Sequence, residues 1–207
     1  MNRLIPCLLG ILLATGGTAC VTKDGPTTPD APPVAGPPAR WTGTATFVDE
    51  TQYENGSAKD HFQMEVTWVK AENPSPPPPA GTTRYIPAGS VHARIQSNVD
   101  LGGTCTVDRE ADFPIAVTDD PLSRPEQFLD LASDGQYQGK LHGAWLLDYV
   151  QFCRDRAFSK RELVRMELNI RGTLDGGRMH GDMPPYVITI PSSLTSTSTG
   201  SWNFAAN

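Results

Sequence analysis

The chain has 207 residues, a formal net charge of −6 and a pI of about 5.1, which excludes the basic footprint that nucleic-acid binding depends on. Its 19 glycines and 19 prolines favour strands and turns over long helices. It has no Gly-x-Ser-x-Gly, His-Glu-x-x-His or phosphate-binding glycine loop, so no enzyme activity and no cofactor are expected.

The amino end opens with Arg3, then an apolar run over Leu4–Ala14 that is broken only by Pro6 and Gly10. Gly16, Gly17, Thr18 and Ala19 lead into Cys20. A positive start, an apolar centre and small residues before a cleavage point make residues 1–19 a secretory signal peptide. The run falls far short of the roughly 20 apolar residues that a spanning helix needs. No later stretch is long and apolar enough either, so no transmembrane segment is expected. The junction resembles the lipobox of bacterial lipoproteins. Ala19 and Thr18 fit its last two positions, and Gly17 stands where a leucine-like residue is usual. Cleavage after Ala19 without lipidation is the alternative. The resemblance implies acylation of Cys20 and anchorage in the cell envelope. Val21, which is not an aspartate, implies sorting to the outer membrane, facing the periplasm or the surface.

Cysteine arithmetic supports the lipid. Of Cys7, Cys20, Cys105 and Cys153, the first leaves with the signal and the last two can pair as a disulfide. Cys20 would otherwise be an odd thiol in an oxidising compartment. Two or more acyl chains suffice for stable attachment. Residues 20–40 then form a tether. Pro26, Pro29, Pro32, Pro33, Pro37 and Pro38 preclude helix and sheet, giving an extended spacer of up to about 60 Å.

Residues 41–207 read as one domain. Phe62, Met64, Val66 and Trp68 alternate with polar neighbours, as do Val91, Ala93 and Ile95. Tyr137, Leu141, Trp145 and Leu147 repeat the pattern, and so do Val164, Met166, Leu168, Ile170, Gly172 and Leu174. Each segment is a half-buried antiparallel strand. Asn55-Gly56 and Asp175-Gly176-Gly177 mark hairpin turns. Pro74 and Pro76 to Pro79 make a stiff loop after Trp68. The opening Trp41-Thr42-Gly43-Thr44 and the closing Gly200-Ser201-Trp202-Asn203-Phe204 resemble the first and last strands of the calycin-like barrels found in bacterial lipoproteins. The expected fold is all-β, an antiparallel meander of about eight to ten strands closed as a small barrel, with a β-sandwich as the alternative.

Inward positions read as apolar or glycine, with the Tyr137 phenol as the one ionisable group. His61, His92, His142 and His180 fall on polar faces, where solvation is the plain reading. Gly139-Lys140-Leu141-His142-Gly143 echoes Gly177-Arg178-Met179-His180-Gly181. Were those strands adjacent, His142, His180 and Asp182 could meet at a metal, but the usual ligand spacings are absent. A Cys105–Cys153 bridge would draw Asp108, Glu110 and Asp112 towards Arg154, Arg156, Lys160 and Arg161. That would give either balanced surface charge or a cationic-ligand or calcium site; the basic stretch could instead touch anionic lipid or polysaccharide. The favoured function is a membrane-anchored, non-enzymatic structural or interaction module of the envelope. Its partners would be the membrane, through the lipid, and an envelope protein, polysaccharide or lipid. The alternative is a lipocalin-like carrier of a lipophilic small molecule.

Overall fold

Extended, alternating segments dominate the chain because β-branched and aromatic residues recur at every second position. A computed structural model describes residues 36–100, 104–115, 127–154, 156–190 and 194–207. The expected signal peptide, Cys20 and the expected tether as far as residue 35 lie outside the described residues. Nine strands are found among the described residues: β1 Arg40–Tyr53, β2 Gly56–Lys70, β3 Thr82–Asp100, β4 Thr104–Pro114, β5 Phe128–Ala132, β6 Gln136–Cys153, β7 Arg156–Thr173, β8 Arg178–Ile190 and β9 Leu194–Ala206. Every strand pairing is antiparallel. The all-β expectation and the strand number both hold.

The first and last strands pair, with Gly43 opposite Phe204 and Ala45 opposite Trp202. Beyond β1 the ladder runs through β2 to β3 on one side and through β9 to β8 on the other. The long strand β3 takes two partners along one edge: β5 pairs with Thr82–Tyr85, and β4 pairs with Ser90–Asp100. Strand β6 meets the same two from the opposite side. The hydrogen-bonded ring is therefore β3–β4–β6–β5, four strands only. The full meander does not close by a continuous ladder among the described residues. Strand β7 pairs with β6 and β8 pairs with β9, and between β7 and β8 there is only the isolated bridge Asp175–Arg178 at their shared turn. That turn is the expected one, because Gly176 and Gly177 both have positive φ (54° and 76°), as a tight hairpin requires. The first hairpin turns one position earlier than expected. Glu54-Asn55 make the bend and Gly56, at φ 147°, begins β2.

The sheet curls around one core. Trp41, Trp68, Trp145, Phe62 and Phe204 are buried there with Tyr85, Leu141, Met166 and Leu168. Rings from distant strands touch. Phe62 lies 6.3 Å from Trp145, Trp68 meets Phe204 edge-on at 6.0 Å, and Phe113 stacks on Trp145 at 5.1 Å. Two inward glycines make the room: a Cβ at Gly143 would collide with the Trp145 ring, and one at Gly181 would lie 2.7 Å from Trp202. Trp202 Nε1 donates to the Tyr137 hydroxyl, which itself donates to the His180 carbonyl, so the polar ends of these two rings are satisfied inside, whereas the buried Nε1 atoms of Trp41 and Trp68 have no hydrogen-bond partner among the described residues.

The two ends of the sheet differ. Strands β1, β6 and β8 begin, and β2, β7 and β9 end, at the end where the chain comes in through Pro38 and Ala39. There the Tyr85 hydroxyl donates to the Pro38 carbonyl and Lys70 N to Ala39 O. The aromatic core fills this near half. The far half, around Tyr53–Gly56 and Cys153–Arg156, is where the polar residues turn inward.

Candidate functional site

Strand phase carries the same face past the last core residue on each strand. Inward Phe47 is followed by Asp49, Thr51 and Tyr53 on β1, and Phe62 is preceded by Asp60 and Ala58 on β2. Leu147 is followed by Tyr149 and Gln151 on β6, and Val164 is preceded by Glu162 on β7. On β9 the corresponding positions are Ser198 and Ser196. The positions beyond the core on β1, β2, β6 and β7 line a cavity of about 480 Å³ at the far end, with Ile95, Val107 and Val164 also in its wall. An apolar interior throughout, as the alternation suggested, is therefore incorrect: the inner face turns acidic once the aromatic core is passed.

Three carboxylates face this cup. Asp49 stands directly opposite Asp60 in the β1–β2 register. Asp49 Oδ1 accepts hydrogen bonds from Ser196 Oγ at 2.7 Å and Ser198 Oγ at 3.0 Å. Glu162 Oε2 accepts one from the Tyr149 hydroxyl at 2.7 Å. Asp60 feels the other two. Burial, then the charges of Asp49 and Glu162, push its carboxyl up to about 7. The same field reaches the phenols. Tyr149 is raised to about 12 by burial, by its bond to Glu162 and by the charges of Glu162 and Asp60. Tyr53 is raised by burial and by Glu162, Asp60 and Asp49. The five groups thus share one electrostatic environment. Because the folded state keeps a proton on Asp60 that the unfolded chain has released, this group costs stability increasingly as pH rises from about 4 to about 7. Like charges set directly opposite each other across two strands are destabilising.

No family model, no curated protein and no solved structure matches this chain. The cup is therefore interpreted from its own chemistry.

The residues singled out in the sequence are dispersed. Cys105 and Cys153 are bridged, as expected, and face each other across β4 and β6. Asp108, Glu110 and Asp112 do share one face of β4, but their partners come from β3. Arg94 makes a two-pronged contact with Asp108 at 3.0 and 2.9 Å and lies 3.6 Å from Glu110, while His92 Nδ1 lies 2.9 Å from Asp112. Arg161 turns to Asp148 on β6. The acids of β4 are thus met by β3, and Arg161 by β6. His142 lies on the outward face, as its phase requires, yet is 8% exposed and buried, so solvation does not describe it. Its cross-strand neighbour is Glu167. His180 and Asp182 sit on β8, which does not pair with β6, and the three do not meet. Among the described residues no group of three His, Cys, Asp or Glu side chains could hold a metal ion.

A second polar cluster lies on the outside of the near half. Arg84 Nε and Nη2 each bond Asp130 at 2.8 Å, Nη1 donates to the Pro76 carbonyl at 2.9 Å, and the guanidinium sits 4.7 Å over the Phe128 ring. Both ionic partners are buried, 9% and 3% exposed. This clamp fastens the proline-rich β2–β3 loop to the sheet and is architectural.

Proposed function

We propose that the protein is an envelope-anchored, non-enzymatic binding module that receives a small cationic, hydrogen-bonding solute of the amine class in its acidic cup. The observation that carries the reading is the convergence of Asp49, Asp60 and Glu162 on one cavity with Tyr53 and Tyr149 beside them. Its volume of about 480 Å³ suits a small organic molecule. The carboxylates do not close on a single point as metal ligands would. An amine with several donors spread along its length would meet them in turn, and the tyrosine faces would receive its methylenes and its charge. The acidic lining favours such a guest over a lipophilic one.

Calorimetry with spermidine as the probe tests this reading. Binding should be measurable at pH 8 and weaken as pH falls below about 7, because protonation of Asp60 removes one of the charges that attract the amine. Asp49→Asn together with Glu162→Gln should weaken it at least about tenfold, the loss of two charge-assisted hydrogen bonds. Absence of heat at every pH would reject the amine reading. A lipid retained on the gently purified protein in native mass spectrometry would restore the lipophilic carrier.

The anchoring half of the reading rests on Cys20 and the signal before it. Metabolic labelling with a fatty acid should mark the wild-type chain and leave Cys20→Ala unlabelled. Equal labelling of the two would remove the lipid from Cys20.

A further inference from the structure

We propose that the tip of the β6–β7 hairpin docks on an anionic lipid surface. The hairpin runs to the far end of the sheet, with Gln151 opposite Phe158, Phe152 opposite Ala157 and Cys153 opposite Arg156. Its apolar side chains are out in the open: Phe152 is 57% exposed, Val150 45% and Phe158 43%. Arg154, Arg156 and Lys160 stand exposed among them. The chain carries a net charge of −6 overall, yet residues 154–161 hold four cations, Arg154, Arg156, Lys160 and Arg161, against the single acid Asp155. Of these cations, Arg161 is engaged by Asp148 and Arg154 is not without a partner, so the charge offered at the tip rests on Arg156 and Lys160. This tip is therefore a basic spot on an acidic protein, and charge complementarity selects an anionic partner.

The placement of the two phenylalanines selects a lipid over a soluble polyanion or a flat protein face. Phe152 shares the outward phase of Val150, whereas Phe158 shares the inward phase of Glu162 and Val164, so the rings project from opposite faces of the two-stranded ribbon. A rigid flat partner covers one face at a time. A fluid interface accepts the tip end-on, taking both rings into its apolar margin while Arg156 and Lys160 meet the head groups. The first half of β7, from Arg156 to Glu162, is exposed at every residue, so no described segment stands in the way. This inference does not depend on what occupies the cup.

Vesicle co-sedimentation of the full chain carrying Cys20→Ala, which takes no acyl group, tests the proposal. The protein should pellet with phosphatidylglycerol–phosphatidylcholine vesicles and not with phosphatidylcholine alone. Reversal of two cations (Arg156→Glu with Lys160→Glu) should reduce the partition to anionic vesicles by at least about thirty-fold, since each basic residue near such a surface contributes about fivefold. Phe152→Ser with Phe158→Ser should reduce it while sparing any salt-dependent attraction. These are exposed positions, and unchanged thermal unfolding of the variants would establish that they fold. Equal binding to neutral and anionic vesicles would overturn the proposal, as would binding that survives the charge reversal. Binding indifferent to both phenylalanines would overturn lipid insertion, and capture by a soluble anionic polysaccharide without vesicle binding would assign the tip to that partner instead.

Discussion

Asp130→Ala should destabilise the domain by about 3–5 kcal/mol, a loss comparable to much of the net stability of an ordinary domain. The carboxylate that it removes is 3% exposed and holds Arg84 through two bonds of 2.8 Å. Without it, a guanidinium that is 9% exposed loses the carboxylate that takes two of its hydrogen bonds, while it keeps its contacts with the Pro76 carbonyl and the Phe128 ring. The cost is mainly that of a buried charge whose counter-ion is gone, not the worth of the pair. Replacement of both partners by apolar residues, Arg84→Met with Asp130→Leu, should therefore recover most of the loss. Urea unfolding of the two singles and the double gives the coupling directly. The midpoint of thermal unfolding should fall by roughly 10 °C in Asp130→Ala. Should the double variant be as unstable as the single, the clamp on the proline loop would matter beyond its charges.

That clamp also marks where the sequence is hard to read. Leu129 and Leu131 bury inward from β5, and Asp130 between them is buried on the other face. Burial on both faces of a five-residue strand leaves no alternation to recognise, and nothing in the sequence couples Asp130 to an arginine 46 positions away. His142 illustrates the same difficulty. Its phase is legible, but phase reports which face a side chain takes and not whether that face is wet. The cup, by contrast, was within reach. Asp49 is two residues beyond inward Phe47, Asp60 two before Phe62 and Glu162 two before Val164. Parity carried past the end of the apolar run places all three inside. The apolar run ends before the strand does, so the apolar pattern alone stops short of them. The long β-strands were legible because one packed face repeats over many residues. The closure was not, because whether β7 and β8 meet depends on sheet curvature, which alternation does not encode.

Removal of the disulfide should have an effect of similar size by a different route. Cys105 and Cys153 are 48 positions apart, and a loop of that length lowers the entropy of the unfolded chain by an amount worth about 4 kcal/mol. The folded state also depends on the bridge locally. Strands β4 and β6 share only two opposed pairs, Cys105 with Cys153 and Thr106 with Phe152, and one of those pairs is the disulfide itself. The β3–β4–β6–β5 ring is thus fastened on this side by one covalent link and almost no ladder. Cys105→Ser with Cys153→Ser should lower stability by about 4 kcal/mol in urea unfolding, and hydrogen exchange should quicken first at residues 104–107 and 150–153. The near half, filled with aromatic rings and independent of the bridge, should keep its protection until global unfolding. Because Val107 and Gln151 also line the cup, a frayed β4–β6 seam would open the wall of the cavity beside the hairpin tip. A variant whose exchange rises evenly over the whole sheet would show that the bridge acts on the unfolded chain alone; faster exchange confined to the seam would show that the same bond also holds the cup in shape.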